Sequence, residues 1–204
     1  MDLLCLGDSL TYGYPGVPAD SWPALVARHL GLTVVNRGVC GETTQDIRLR
    51  LPAALAELPG AVFLMGGSND VLQDIALTET EKHMLAMIDM VQARALPLIV
   101  GIPPLTLAES VYFGWQAPAA VAAHQAALTA YGRWIKEEGG RRGLGIVDFA
   151  AVLAGSKGLY ADGVHPNQRG YAAFAAAAIP VIADLTRREK GRRQRSDRVN
   201  HCVE

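Results

Sequence analysis

Four short segments of the 204-residue chain carry side chains able to do chemistry. Gly7-Asp8-Ser9-Leu10 offers a hydroxyl, and Asp162-Gly163-Val164-His165-Pro166 places a carboxylate three residues before an imidazole. A carboxylate at that spacing can hold one ring nitrogen and leave the other free to act as a base. Asn36-Arg37-Gly38-Val39-Cys40-Gly41-Glu42-Thr43 has two glycines three apart, which permit a tight turn whose N–H groups face a ligand. Gly66-Gly67-Ser68-Asn69-Asp70 adds an amide donor. Each segment alone has an ordinary explanation: an N-cap serine, a strand–helix loop, an Asn turn, a surface Asp–His pair. Together they supply a nucleophile, a base, its orienter and oxyanion donors, which are the parts acyl transfer requires.

These segments must be held together, and the rest of the chain shows how. Short apolar runs at Leu3–Leu6, Thr33–Val35, Ala61–Met65, Leu98–Ile102 and Gly145–Phe149 have the length of buried strands. Helical periodicity fills the intervals at Trp22–Leu30, Thr44–Leu58, Thr78–Ala95 and Ala119–Glu138, with a last helix from Gln168 to about Arg188. Thr78 and Glu81 have capping-box spacing, Pro52 should kink or interrupt the second helix, and Gly139-Gly140 should end the fourth. Strand–helix alternation predicts right-handed βαβ units and a parallel sheet with helices on both faces. Ligands bind such sheets beyond the carboxyl ends of the strands, where the four segments are expected.

Composition bounds the answer further. Half the residues are apolar and the formal net charge is −1, which excludes wholesale disorder and argues against a dedicated nucleic-acid partner. The charge is uneven: residues 187–204 hold seven Lys/Arg and three Asp/Glu, leaving the body at −5. We therefore expect one domain over 1–186 and a basic, disordered tail over 187–204, a solvated terminus rather than a membrane or nucleic-acid contact. Cys5, Cys40 and Cys202 form no metal-ligand spacing, and no transmembrane segment or signal peptide is visible. Reduced thiols in a cytoplasmic compartment follow as the expectation, with no metal and no cofactor.

The four segments, GDSL, NRGVCGET, GGSND and DGVHPN, resemble in sequence and order the motif blocks of the SGNH (GDSL) hydrolase family, running from residue 7 to 167. The stretch Ser21-Trp22-Pro23-Ala24-Leu25 and the run VVNRGVCGETTQDIRLRLPAAL resemble its bacterial lysophospholipase, thioesterase and arylesterase branch. The resemblance implies a flavodoxin-like three-layer α/β/α fold with a five-stranded parallel sheet. It also implies that Ser9 is the nucleophile, His165 the base and Asp162 its orienter. The Ser9 and Gly41 N–H groups and the Asn69 amide would form the oxyanion hole. Asp8 and Asp70 would order the loops bearing Ser9 and Asn69, and the thiol of Cys40 would lie beside the site.

The expected reaction is hydrolysis of a small-molecule ester or thioester through an acyl-enzyme, falling off in acid as His165 protonates. Tyr12, Leu72, Tyr112, Phe113 and Trp115 are candidates for an apolar substrate rim, unless the aromatics merely pack their own loop. Three other readings compete. A carbohydrate O-acetyl esterase would use the same machinery. A flavodoxin-like or receiver-type binding module would leave DGVHPN unexplained. A cysteine hydrolase would place Cys40 where the oxyanion loop belongs. Oligomeric state is not legible.

Overall fold

The computed structural model describes residues 1–200, with side chains described through Arg188. The last helix continues past its expected end near Arg188 to Asn200, so helical backbone occupies residues 187–200 of the stretch expected as a disordered tail; side chains there are described only for Arg187 and Arg188, and Cys202 lies outside the described residues. Five strands form one parallel sheet: β1 Leu3–Gly7, β2 Val34–Gly38, β3 Val62–Leu64, β4 Leu98–Ile102 and β5 Gly145–Asp148. Their order is β2-β1-β3-β4-β5. The strand order thus reverses direction at β1, and the crevice between β1 and β3 is the switch point where such sheets bind ligands.

The helices are α1 Ser9–Tyr12, α2 Trp22–Leu30, α3 Thr44–Leu55, α4 Ser68–Leu72 and α5 Leu77–Gln92. They continue as α6 Val121–Arg142, α7 Phe149–Leu153 and α8 Gln168–Asn200. Alternate strand residues feed two separate cores. Leu3, Cys5, Phe63 and Ile99 face Trp22 and Val26 of α2 and Phe174 and Ile182 of α8. Leu4, Leu6, Val62, Leu64 and Val100 face Ile47 and Leu51 of α3, Met84 and Ile88 of α5 and Ile135 of α6. Each such side chain contributes about 1.5–3 kcal/mol of burial, so both faces lock the sheet beneath its loops. The result is the expected three-layer α/β/α, flavodoxin-like arrangement.

Several boundaries differ from the sequence expectation, each for a local reason. Helix α6 does not end at Gly139-Gly140 but runs to Arg142, capped by Gly143 at φ +65°. Gly139 is there for packing: a Cβ would lie 2.6 Å from Cδ1 of Ile146 on β5. Pro52 does not interrupt α3, which continues through it on an exposed face and ends at Leu55. Helix α5 starts at Leu77 without a side-chain cap, so Thr78 and Glu81 form no capping box. The capping box lies instead at Thr43 and Asp46, opening α3. Strand β2 extends to Gly38, beyond Val35, and α7 with a short 3-10 turn separates β5 from the Asp162 loop.

Candidate active site

Ser9 is the first residue of α1, directly beyond the carboxyl end of β1. It does not cap the helix itself. Asp8 does, its Oδ1 accepting the Leu10 N–H at 2.9 Å, which leaves the serine hydroxyl unengaged by the helix. Ser9 Oγ lies 2.9 Å from His165 Nε2, across 156 residues of sequence. His165 Nδ1 lies 2.8 Å from Asp162 Oδ2. All three residues are buried to within a few per cent of their surface. The three residues expected from the sequence to act together, Ser9, His165 and Asp162, thus lie in one hydrogen-bonded line.

Asp162 is held by more than the imidazole. Its Oδ1 accepts the backbone N–H groups of Val164 at 3.0 Å and His165 at 2.7 Å. Its Oδ2 also accepts the indole N–H of Trp115 at 2.9 Å. Burial alone would push this carboxyl up. The His165 ring and backbone bonds, the imidazole charge and the Val164 N–H outweigh it and hold the carboxyl below its ordinary value.

The expected oxyanion donors lie on three neighbouring loops. Among the described residues, neither the Ser9 N–H nor the Gly41 N–H donates to another protein group. Gly41 sits at φ +83°, the turn its glycine permits. Asn69, in the first turn of α4, donates through Nδ2 to the Glu42 carbonyl at 2.8 Å, leaving its second amide hydrogen for a ligand. Gly67 just before it has φ +113°, and a Cβ there would lie 2.5 Å from Tyr131 Cε1, so only glycine allows this turn.

Two latches fix the loops that carry Gly41 and Asn69, and the sequence signalled neither in full. Asp70 accepts both the N–H and the hydroxyl of Thr44, tying α4 to the start of α3. Arg50 bonds the Gly7 carbonyl at 2.8 Å and Glu42 at 2.6 Å, joining the end of β1 to the Gly41 loop. Asp70 was a candidate for ordering its own loop; its long-range partner is what the motif could not show. An Arg in the middle of a helix carries no signal of such a role.

Asp8 is fully buried, and its Oδ2 has no hydrogen-bond partner among the described residues. Burial, with a contribution from the charge of Asp70, raises its carboxyl to about 7 against the Leu10 bond and the His165 charge. Cys40 is exposed beside Gly41 as a free thiol, and burial of the sulfur with the Asp8 charge pushes it up, away from thiolate. No bond joins it to His165 among the described residues.

The rim residues separate into three groups. Trp115 stands edge-on to the His165 ring with centroids 5.0 Å apart, and Tyr14, which was not among the rim candidates, does so at 4.6 Å. Tyr112 and Phe113 are 87% and 58% exposed, so they project from their loop and do not pack it down. Tyr12 and Leu72, at the ends of α1 and α4, are half-buried, and among the described residues no hydrogen bond links either side chain to Ser9, His165 or Asp162. Among the described residues no cluster of His, Cys, Asp and Glu could hold a metal ion.

Residues 5–173 match the GDSL-like Lipase/Acylhydrolase family. A thioesterase 1/protease 1/lysophospholipase L1 of Escherichia coli K12 is 36% identical over 104 residues, 49% of this chain and 50% of that protein. An arylesterase of Vibrio mimicus is 32% identical over 111 residues, 50% of this chain and 56% of that protein. The chain thus aligns with only about half the length of these curated relatives. A solved lipolytic protein of the G-D-S-L family from Desulfitobacterium hafniense DCB-2 superposes with TM-score 0.77 at 26% identity, covering 88% of this chain and 98% of that one. The native M. smegmatis aryl esterase has the same fold, with TM-score 0.77 at 20% identity over 90% of this chain and 99% of that one. With the family match spanning all four motif segments, the chain belongs to the GDSL-like lipase/acylhydrolase family.

Proposed function

We propose that this chain is a serine hydrolase that cleaves carboxylic esters or thioesters of small acyl, aryl or lysophospholipid type through an acyl-enzyme. The observation that carries the reading is the hydrogen-bonded line Ser9 Oγ, His165 Nε2, His165 Nδ1, Asp162 Oδ2, with steps of 2.9 and 2.8 Å. His165 takes the Ser9 proton as Oγ bonds to the carbonyl carbon. Negative charge then collects on the former carbonyl oxygen, where the Ser9 and Gly41 N–H groups and the Asn69 amide receive it. The imidazolium passes its proton to the leaving alcohol or thiol as that bond breaks. Water, deprotonated by the same imidazole, releases the acid and regenerates Ser9.

Tyr112, Phe113 and Trp115 form the acyl rim in this reading, with Tyr12 and Leu72 as outlying wall residues. The projection of Tyr112 and Phe113 into solvent supports an accessible site for small esters. The relatives named thioesterase, lysophospholipase and arylesterase support the same substrate range. The hydrolase domain spans 1–186, which contains every residue invoked. Free thiols at Cys5 and Cys40 support a reducing, cytoplasmic setting. No described helix is long and apolar enough to cross a membrane.

The test is hydrolysis of p-nitrophenyl esters from acetyl to palmitoyl by the wild type and by Ser9→Ala. Turnover lost in the variant is expected, and the preferred acyl length distinguishes an acetyl esterase from a longer-acyl hydrolase. A wild type inert on every length would contradict the reading for simple acyl esters.

A further inference from the structure

The rim residue Trp115 makes a contact that a substrate wall does not need. Its indole N–H donates to Asp162 Oδ2 at 2.9 Å, the same oxygen that faces His165 Nδ1 at 2.8 Å. Of the four donors around this carboxylate, three come from Val164 and His165, within three residues of it. Trp115 arrives from 47 residues away, on the loop between β4 and α6.

That loop is built to hold the indole in place. Gln116, the next residue, is buried, and its amide donates to Ser110 Oγ at 2.6 Å and Thr106 Oγ1 at 3.2 Å. Its carbonyl lies 2.7 Å from Nδ1 of buried His124 on α6. The Leu107 N–H donates to the Gly163 carbonyl at 2.7 Å, which fastens the base of the loop to the Asp162 segment. Gly163 has φ +81°, and a Cβ there would lie 2.4 Å from Ser110 N, so the two segments meet at a point only glycine permits. Within this frame the indole has edge-on contacts to both Tyr14 and His165.

We propose that Trp115 is a positioning residue for the acid–base pair: its N–H shares Asp162 Oδ2 with His165, fixes the carboxylate, and couples the aromatic acyl rim to the imidazole. An indole is a donor only, so it favours the ionised carboxylate and never competes as an acceptor for the His165 proton. By drawing charge from Oδ2 it also limits how strongly Asp162 stabilises the imidazolium. Removing the donor should strengthen that stabilisation while loosening the carboxylate. The effect is modest because Oδ1 keeps its two backbone donors.

The inference rests on the serine-hydrolase reading, so the experiment includes Ser9→Ala as an inactive reference. Trp115→Phe keeps an aromatic edge and lacks the N–H; replacing Trp115 with β-(3-benzothienyl)alanine keeps the ring shape with sulfur in place of N–H. For both, kcat on the best p-nitrophenyl ester should fall roughly fivefold to tenfold with KM within about twofold. The acid limb of the kcat/KM profile should move up by about half a pH unit. Phe113→Ala, which leaves the Asp162 bond in place, should raise KM and leave the limb unmoved. A wild-type limb in both Trp115 variants would overturn the proposal, whether kcat fell or KM rose. So would a benzothienyl variant with wild-type kcat. Either outcome beside an inactive Ser9→Ala leaves the hydrolase reading intact, whereas activity retained in Ser9→Ala removes that reading itself.

Discussion

Two carboxylates flank the Ser9–His165 pair, and the loops that carry them treat charge in opposite ways. Asp162, in the loop before α8, accepts four N–H donors and is held below its ordinary value. Asp8, between β1 and α1, is more deeply buried, has one donor on Oδ1 and none on Oδ2, and is raised to about 7. Burial acts on both; the donor count decides which way each moves. The loop of Asp162 is therefore organised around a permanent negative charge opposite the imidazole, and the loop of Asp8 around the shape of the turn that presents Ser9.

The largest test of this contrast is Asp162→Asn. Asn keeps one acceptor oxygen for four N–H donors and turns a donor NH2 toward the rest, so kcat should fall roughly 10³–10⁴-fold. Thermal melting should fall too, because buried donors are left unmatched. A loss under tenfold would mean that the four-donor cradle is not what orients His165.

Asn69→Ala comes next and probes the loop network on the Asp8 side. It removes the proposed oxyanion donor and frees the Glu42 carbonyl, with an expected loss of about 10²–10³ in kcat and little change in melting. Stopped-flow acylation rates would check this, since the loss should fall on formation of the tetrahedral species.

Asp8→Asn should cost catalysis least, under about tenfold in kcat, because Asn Oδ1 can still cap Leu10. Its signature is in stability against pH. The folded value of Asp8 is raised, so its penalty is full above about pH 7 and is relieved as pH falls toward the unfolded value. Asp8→Asn should therefore melt higher than wild type near pH 8, with the gap narrowing below about pH 7 and closing only near pH 4. Asp162 has the opposite sign: its contribution is full above the unfolded value and is lost only as pH falls through its lowered folded value. A melting gap for Asp8→Asn that did not depend on pH would break the comparison.

How much of this was legible in the sequence differs between the same two regions. Asp162 and His165 are three apart, so their pairing could be read from spacing, as could the strands that bring Ser9 near them. Helix α2 was legible to the residue, because its helical periodicity runs from Trp22 to Leu30 and stops at Gly31. Gly139 misled because glycine in a helix serves close packing as well as termination. The unpartnered Oδ2 of Asp8 could not be seen, since burial is set by the whole surrounding fold. Trp115 was legible as an aromatic near the site. Its bond to Asp162 depends on loop geometry that no local pattern encodes.

The central claim is that Ser9 carries the acyl group, and active-site labelling tests it most directly. The protein would be treated with a fluorophosphonate and read by intact mass and peptide mapping. One adduct on Ser9 is predicted, absent in Ser9→Ala, strongly slowed in His165→Ala and unchanged in Cys40→Ala. An adduct that persists in Ser9→Ala, or that maps to Cys40 and disappears in Cys40→Ala, would contradict the account.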